Sequence, residues 1–159
     1  SSWDMVVFSP AASAAGTDAE TTTSEAVTGQ VRNDLGQCLT SKDPKGEDGT
    51  PVLNANCAGD SDAQTVTFED GHLRIGDRCV DVVGGFTEEG TVAHMWTCYP
   101  TLESQMWDRN DSGQLVNRAS GLCLTIPGDT TQEGTQAVIS QCSSSSPSQR
   151  WSLPSPAGK

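Results

Sequence analysis

Apolar residues along this chain come in short bursts. They fall at Leu73 to Ile75, Val80 to Val83, Val92 to Met95, Leu122 to Ile126 and Ala137 to Ile139. Gly, Asp, Asn, Ser and Pro separate the bursts at short intervals, the punctuation of strands joined by turns. No stretch sustains the 3.6-residue apolar period of an amphipathic helix. The pattern predicts an all-β body over residues 27–153. Residues 1–26 read differently. Trp3-Asp4-Met5-Val6-Val7-Phe8 is an apolar run ended by Ser9-Pro10, and residues 11–26 are Ala, Ser, Thr, Gly, Asp and Glu, the composition of a flexible linker. Pro154 and Pro156 mark residues 154–159 as a tail.

The bursts recur in register. Cys38 and Cys57, Cys79 and Cys98, and Cys123 and Cys142 are each 19 positions apart. Gly-Thr stands eight residues before each second cysteine, at Gly49-Thr50, Gly90-Thr91 and Gly134-Thr135. A glutamine follows that cysteine by seven, at Gln64, Gln105 and Gln149, and two residues later come Val66, Trp107 and Trp151. Each copy opens on a glycine before an apolar stretch: Gly29-Gln30-Val31, Gly71-His72-Leu73 and Gly113-Gln114-Leu115. The body is therefore one scaffold repeated three times, with repeats at 27–68, 69–109 and 110–153, each of about 42 residues.

Composition narrows the function. The formal charge is −12, which disfavours phosphate backbones and anionic membranes, so neither nucleic acid nor membrane insertion is expected. No window is long and apolar enough to span a bilayer. No basic-then-apolar leader stands at the N-terminus, so the chain reads as mature and processed. The cysteine spacing is unlike CxxC zinc or redox motifs and points to an oxidising compartment, hence a secreted, extracellular protein. Six cysteines allow fifteen pairings; threefold repetition selects Cys38–Cys57, Cys79–Cys98 and Cys123–Cys142, each closing a loop worth roughly 3 kcal/mol in the chain-entropy model.

Repeats with Cys-Leu/Val-Asp/Thr, then Gly-Thr, then Cys, then Gln-x-Trp resemble the ricin B-chain lectin family, which includes carbohydrate-binding modules of secreted bacterial proteins. The resemblance implies a β-trefoil of twelve strands, four per repeat, six in a barrel and six in a cap. It also implies that the Trp107 and Trp151 rings bury where repeats meet and that each motif glutamine satisfies backbone groups at strand ends. Val66 wears down the motif in the first copy, which should pack differently.

The family's pocket needs an aspartate two positions after the first cysteine, to accept hydrogen bonds from vicinal sugar hydroxyls. It needs an aromatic two positions before the second cysteine, to stack on the C–H face of the ring. The first copy has Thr40 and Ala55, the third Thr125 and Ser140, and only the second has Asp81 and Trp96. By the same resemblance His94 falls where a polar side chain contacts the sugar, Gly84 lies in the tight turn after Asp81, and Ser104 and Gln105 complete the set. Ser104 departs from the family's usual asparagine. Phe86 and Tyr99 lie beside these residues. Plainer roles compete: Asp81 bonding its own turn, Trp96 packing, and His94 as an ordinary surface histidine.

No HExxH, Gly-x-Ser-x-Gly or Gly-rich phosphate loop is present, His72 and His94 are the only histidines, and no cysteine is left over as a nucleophile. No enzyme, cofactor or metal is expected. The leading expectation is a non-catalytic lectin module with one sugar pocket in the second repeat. The alternative is an adaptor in a secreted multi-protein toxin assembly, its arm residues Trp3, Met5, Val6, Val7 and Phe8 inserted into a protein partner through residues 1–10 or, more simply, folded back on the chain's own trefoil.

Overall fold

The computed structural model describes residues 26–154. Trp3, Met5, Val6, Val7 and Phe8, nearly all of the linker and the tail beyond Pro154 lie outside that range. The described residues form thirteen strands and five short 3-10 turns, with no α-helix. The first copy contributes β1 (Val27–Gly29), β2 (Arg32–Asn33), β3 (Gln37–Ser41) and β4 (Val52–Asn56). The second contributes β6 (His72–Ile75), β7 (Arg78–Val82) and β8 (Ala93–Thr97), preceded by β5 (Val66–Glu69). The last part holds β9 (Trp107–Arg109), β10 (Leu115–Asn117), β11 (Cys123–Thr125), β12 (Val138–Ser140) and β13 (Trp151–Ser152).

Three antiparallel sheets result, ordered β13-β2-β3-β4, β1-β5-β6-β7-β8 and β9-β10-β11-β12. Each straddles a boundary between sequence copies. The last strand of one copy pairs with the first of the next, β5 with β6 and β9 with β10. At the third boundary β13 reaches back to β2, with Trp151 opposite Asn33, joining the end of the third copy to the start of the first. Strands β2 to β13 thus make three equivalent four-stranded units of a β-trefoil. The implied count of twelve needs one correction. β1 is a thirteenth strand, paired to β5 through Val27↔Phe68, Thr28↔Thr67 and Gly29↔Val66. The other copies keep less at that place: Trp107 N–H donates to Gly71 O at 2.7 Å, and Trp151 N–H to Gly113 O at 2.8 Å beside an isolated bridge between Gln114 and Arg150.

The core is built in triplets. Val31, Leu73 and Leu115 follow the opening glycines; Leu39, Val80 and Leu124 follow the first cysteines; Val66, Trp107 and Trp151 close the copies. All nine side chains are buried, and such burial is worth about 1.5–3 kcal/mol for an aliphatic side chain. The two indoles are also anchored, Trp107 Nε1–H donating to Val80 O at 3.1 Å and Trp151 Nε1–H to Leu124 O at 3.0 Å. Val66 has no donor to offer the matching Leu39 carbonyl, and in that copy Phe68, two residues on, packs against the core. The three disulfides join Cys38–Cys57, Cys79–Cys98 and Cys123–Cys142, each with Cα atoms 5.1 Å apart.

The Gly-Thr pairs explain themselves as turns that dock one copy on the next. The glycines hold φ of 100°, 93° and 87°, a region costly for any residue with a Cβ. Each threonine hydroxyl closes its own turn, Thr50 onto Glu47 O, Thr91 onto Glu88 O and Thr135 onto Gln132 O. Each glycine N–H then donates to the next hairpin: Gly49 to Met95 O, Gly90 to Ile139 O and Gly134 to Asn54 O, at 2.8, 2.8 and 2.9 Å. An acidic residue before each glycine completes the clamp. Asp48 accepts the Thr97 N–H at 2.7 Å, Glu89 the Gln141 N–H at 3.1 Å, and Glu133 the Asn56 N–H at 2.7 Å. The three contacts run first copy to second, second to third and third to first.

Trp107→Ala and Trp151→Ala should each cost about 3–5 kcal/mol, as truncation of a buried aromatic does, and Val66→Ala clearly less. Denaturant midpoints check this, and equal losses at all three positions would contradict the difference in packing. The clamp predicts an acid response. The Arg78 side chain, with Thr97, holds the Asp48 carboxyl below the usual carboxylate range, and the Gln141 N–H with the Ser140 hydroxyl does the same for Glu89. A depressed folded-state pKa adds stability that is present above the unfolded value, about pH 4, and lost as pH falls through the folded value. Asp48→Ala and Glu89→Ala should therefore lower the urea midpoint at neutral pH and narrow the gap to the parent in strong acid; a gap independent of pH would contradict the ionic character of the contacts.

Candidate functional site

The residues singled out in the second copy meet on one face of the β7–β8 hairpin. Asp81 lies opposite His94, and Cys79 opposite Trp96. Side chains two apart on a strand share a face, so His94 and Trp96 stand side by side above the same sheet surface as Asp81. The rings of His94 and Trp96 stack, with centroids 5.1 Å apart and planes 23° from parallel. After β7 the chain turns through Val83–Gly85, with Gly84 at φ 64° and Gly85 at φ 68°. A depression of about 320 Å³ opens there, lined by Asp81, Gly84, Gly85, His94, Trp96, Leu102 and Ser104.

The carboxylate at its floor is held from three sides. Asp81 Oδ1 accepts the Val82 N–H at 2.7 Å and the Ser104 hydroxyl at 2.7 Å. Oδ2 receives only the Gln105 side-chain amide, at 3.4 Å, which leaves it further acceptor capacity. Asp81 does bond its own turn, and still keeps one oxygen in reserve. Ser104 spends its hydroxyl on Asp81. Gln105 is fully buried beneath the site, donating to Thr97 O at 2.7 Å and accepting the Tyr99 N–H at 2.8 Å.

His94 departs from the surface histidine that is the plainer expectation. It is 8 % exposed, because β8 is covered by the Thr50-Pro51 segment of the first copy, with Pro51 bridged to His94. Burial lowers its pKa from the ordinary value, outweighing the opposite pull of Asp81 and Asp48, so the imidazole is neutral at pH 7. Its Nε2 lies 3.9 Å from Asp81 Oδ2, a polar neighbour and not an ion pair in that state. Trp96 is half-buried, with one face against His94. The clamp reaches this site too: Asp48 holds both Thr97 N–H and Arg78 Nε, at the base of the same hairpin.

The other two copies use the same scaffold differently. Their glutamines bridge the same backbone groups. Gln64 donates to Asn56 O and accepts the Ala58 N–H, and Gln149 donates to Gln141 O and accepts the Ser143 N–H. Where the second copy has Asp81, Thr40 and Thr125 turn their hydroxyls onto the carbonyls of Cys38 and Cys123, at 2.9 and 2.7 Å. The third copy has a wider depression, about 550 Å³, lined by Thr125, Asp129, Ser140 and Glu89 among others, but by no aromatic ring. Leu102 and Gly85 were missed by the sequence reading. No motif marks them; Leu102 reaches the depression because the 3-10 turn at Glu103–Gln105 packs on β7, and Gly85 because it ends the turn that follows β7. Among the described residues no group of three or more His, Cys, Asp or Glu is placed to hold a metal, and no helix is long and apolar enough to cross a membrane.

Comparison with known proteins follows the geometry. The ricin-type β-trefoil lectin domain model matches residues 27–151. No curated protein sequence matches the chain. Among solved structures, a designed threefold-symmetric protein, ThreeFoil, superposes with TM-score 0.69 at 23 % identity, covering 80 % of this chain and 98 % of that one. A non-toxic homologue of type II RIPs from Momordica charantia (bitter gourd), in complex with α-methyl-D-galactoside, gives 0.70 at 21 % identity, covering 86 % of this chain and half of that one. The C-half of an earthworm R-type lectin in complex with GalNAc gives 0.66 at 12 % identity, covering 82 % and 98 %. At these identities the superpositions show the shared fold, and the domain match over most of the chain shows the family: this protein belongs to the ricin-type β-trefoil lectin domain family.

Proposed function

We propose that the protein is a non-catalytic, secreted lectin module that binds carbohydrate through one site, the depression of the second copy. The observation that carries this reading is Asp81: a fixed carboxylate with a free acceptor oxygen beside the half-buried Trp96 ring, a pairing absent from the other copies. Vicinal hydroxyls of a sugar donate to Oδ2 in charge-assisted bonds, and the ring's C–H face lies on the indole. Neutral His94 adds a donor or acceptor according to its tautomer. Gly84 and Gly85 leave the rim without side chains where a ligand approaches, while Ser104 and Gln105 orient Asp81 from below. The bound sugars of the bitter gourd and earthworm structures agree with a pyranose ligand. Three disulfides are compatible with an extracellular protein. A single shallow site of this kind binds on the order of millimolar, roughly 4 kcal/mol.

Isothermal titration with α-methyl-D-galactoside and GalNAc, widened to a glycan array, tests the assignment. One site per chain is expected. Asp81→Asn should abolish most of the affinity, because an amide loses the charge-assisted acceptance, and Trp96→Ala should do the same by removing the platform. Thr40→Ala and Thr125→Ala should leave binding as it was. A stoichiometry above one, or full binding by the Asp81→Asn protein, refutes the single-site reading.

A further inference from the structure

Exposed apolar side chains lie at and beside the depression of the second copy. Phe86, Tyr99 and Leu102 are the exposed large hydrophobic side chains among the described residues, and all three lie in the second copy. Phe86 is 60 % exposed, yet it is not loose at its root: a methyl group on Gly84 would come within 2.8 Å of Phe86 Cε2, so the ring lies against the glycine that lines the depression. The two left-handed glycines at 84 and 85 shape that turn, and the Phe86 N–H closes it on Val83 O at 3.2 Å. Leu102, 39 % exposed, lines the depression itself. The matching turn of the third copy is Pro127–Asp129 followed by Thr130, with no ring.

Resting on the lectin reading, the geometry points to a second subsite at the rim, in which Phe86 and Leu102 receive the next ring of a neutral oligosaccharide whose first ring stacks on Trp96. An aromatic face held in water beside a polar-floored site is suited to the C–H face of another pyranose. Charge selects against anionic glycans. No cation lines the depression. Glu88, Glu89 and Glu103 are exposed on the adjoining segments, and the nearby Arg78 is engaged by Asp48 and Gly46 O. A sialylated or sulfated ligand would bring its charge to a surface of the same sign.

The test compares methyl galactoside with lactose, and methyl xyloside with xylobiose, by titration against the parent protein, Phe86→Ala, Phe86→Tyr and Tyr99→Ala. The disaccharide should bind about three- to tenfold more tightly than its monosaccharide. Phe86→Ala should bring that ratio to about one, Phe86→Tyr should keep it, and Tyr99→Ala, at an exposed ring outside the depression, should keep it too. Sialyllactose should bind more weakly than lactose, with the difference shrinking in high salt. Equal affinity for one ring and two, a ratio unmoved by Phe86→Ala, or tight sialyllactose binding overturns the second subsite while leaving the lectin reading intact. Absence of binding to every sugar in the set and on the array overturns the lectin reading, and this inference with it.

Discussion

Everything in this trefoil leans on a contact made three times in a circle. Each copy lays an acidic-Gly-Thr turn on the following copy's hairpin, with the glycine N–H on a strand carbonyl and the carboxylate on the N–H before the second cysteine. No copy is covered on both sides by its own residues. A four-stranded unit has short strands and little interior of its own, so its apolar face is buried only when the neighbours arrive. The third contact, Glu133 to Asn56 together with β13 on β2, turns a row of copies into a closed ring. The circle also leaves each unit with neighbours on both flanks, which a linear stack of three could not do.

The same logic separates what every copy must keep from what one copy could change. The motif glutamine bridges the carbonyl and the N–H on either side of the second cysteine in all three copies, and its amide also reaches the residue two places after the first cysteine. That last residue is the variable one. As threonine it returns its hydroxyl to the backbone and closes the local hydrogen-bond account. As Asp81 it cannot donate when ionised, so it gathers donors from Val82, Ser104 and Gln105. That one difference on an unchanged frame replaces a satisfied turn with a carboxylate lining the depression.

What the sequence alone determined follows from periodicity. The threefold register of cysteine, Gly-Thr and glutamine selected the disulfide pairs, because residues at equal phase in a repeat must occupy equal environments, while the fold and the copy holding Asp81 and Trp96 were implied by the resemblance that this register carries. The placing of Asp81 on one face with His94 and Trp96 came from the register of the β7–β8 hairpin, in which Asp81 lies opposite His94. Phase says nothing about who neighbours whom across copies. The acidic residue before each Gly-Thr is plain in the sequence at Asp48, Glu89 and Glu133, but its partner lies in the following copy, and only the folded ring brings the two together. The burial of His94 beneath the first copy's Thr50-Pro51 segment, the entry of Leu102 into the depression and the seating of Phe86 on Gly84 were decided at the same level. Each depends on the distance between segments remote in the chain or on the path of a turn, and those are set by packing rather than by any local pattern of residues.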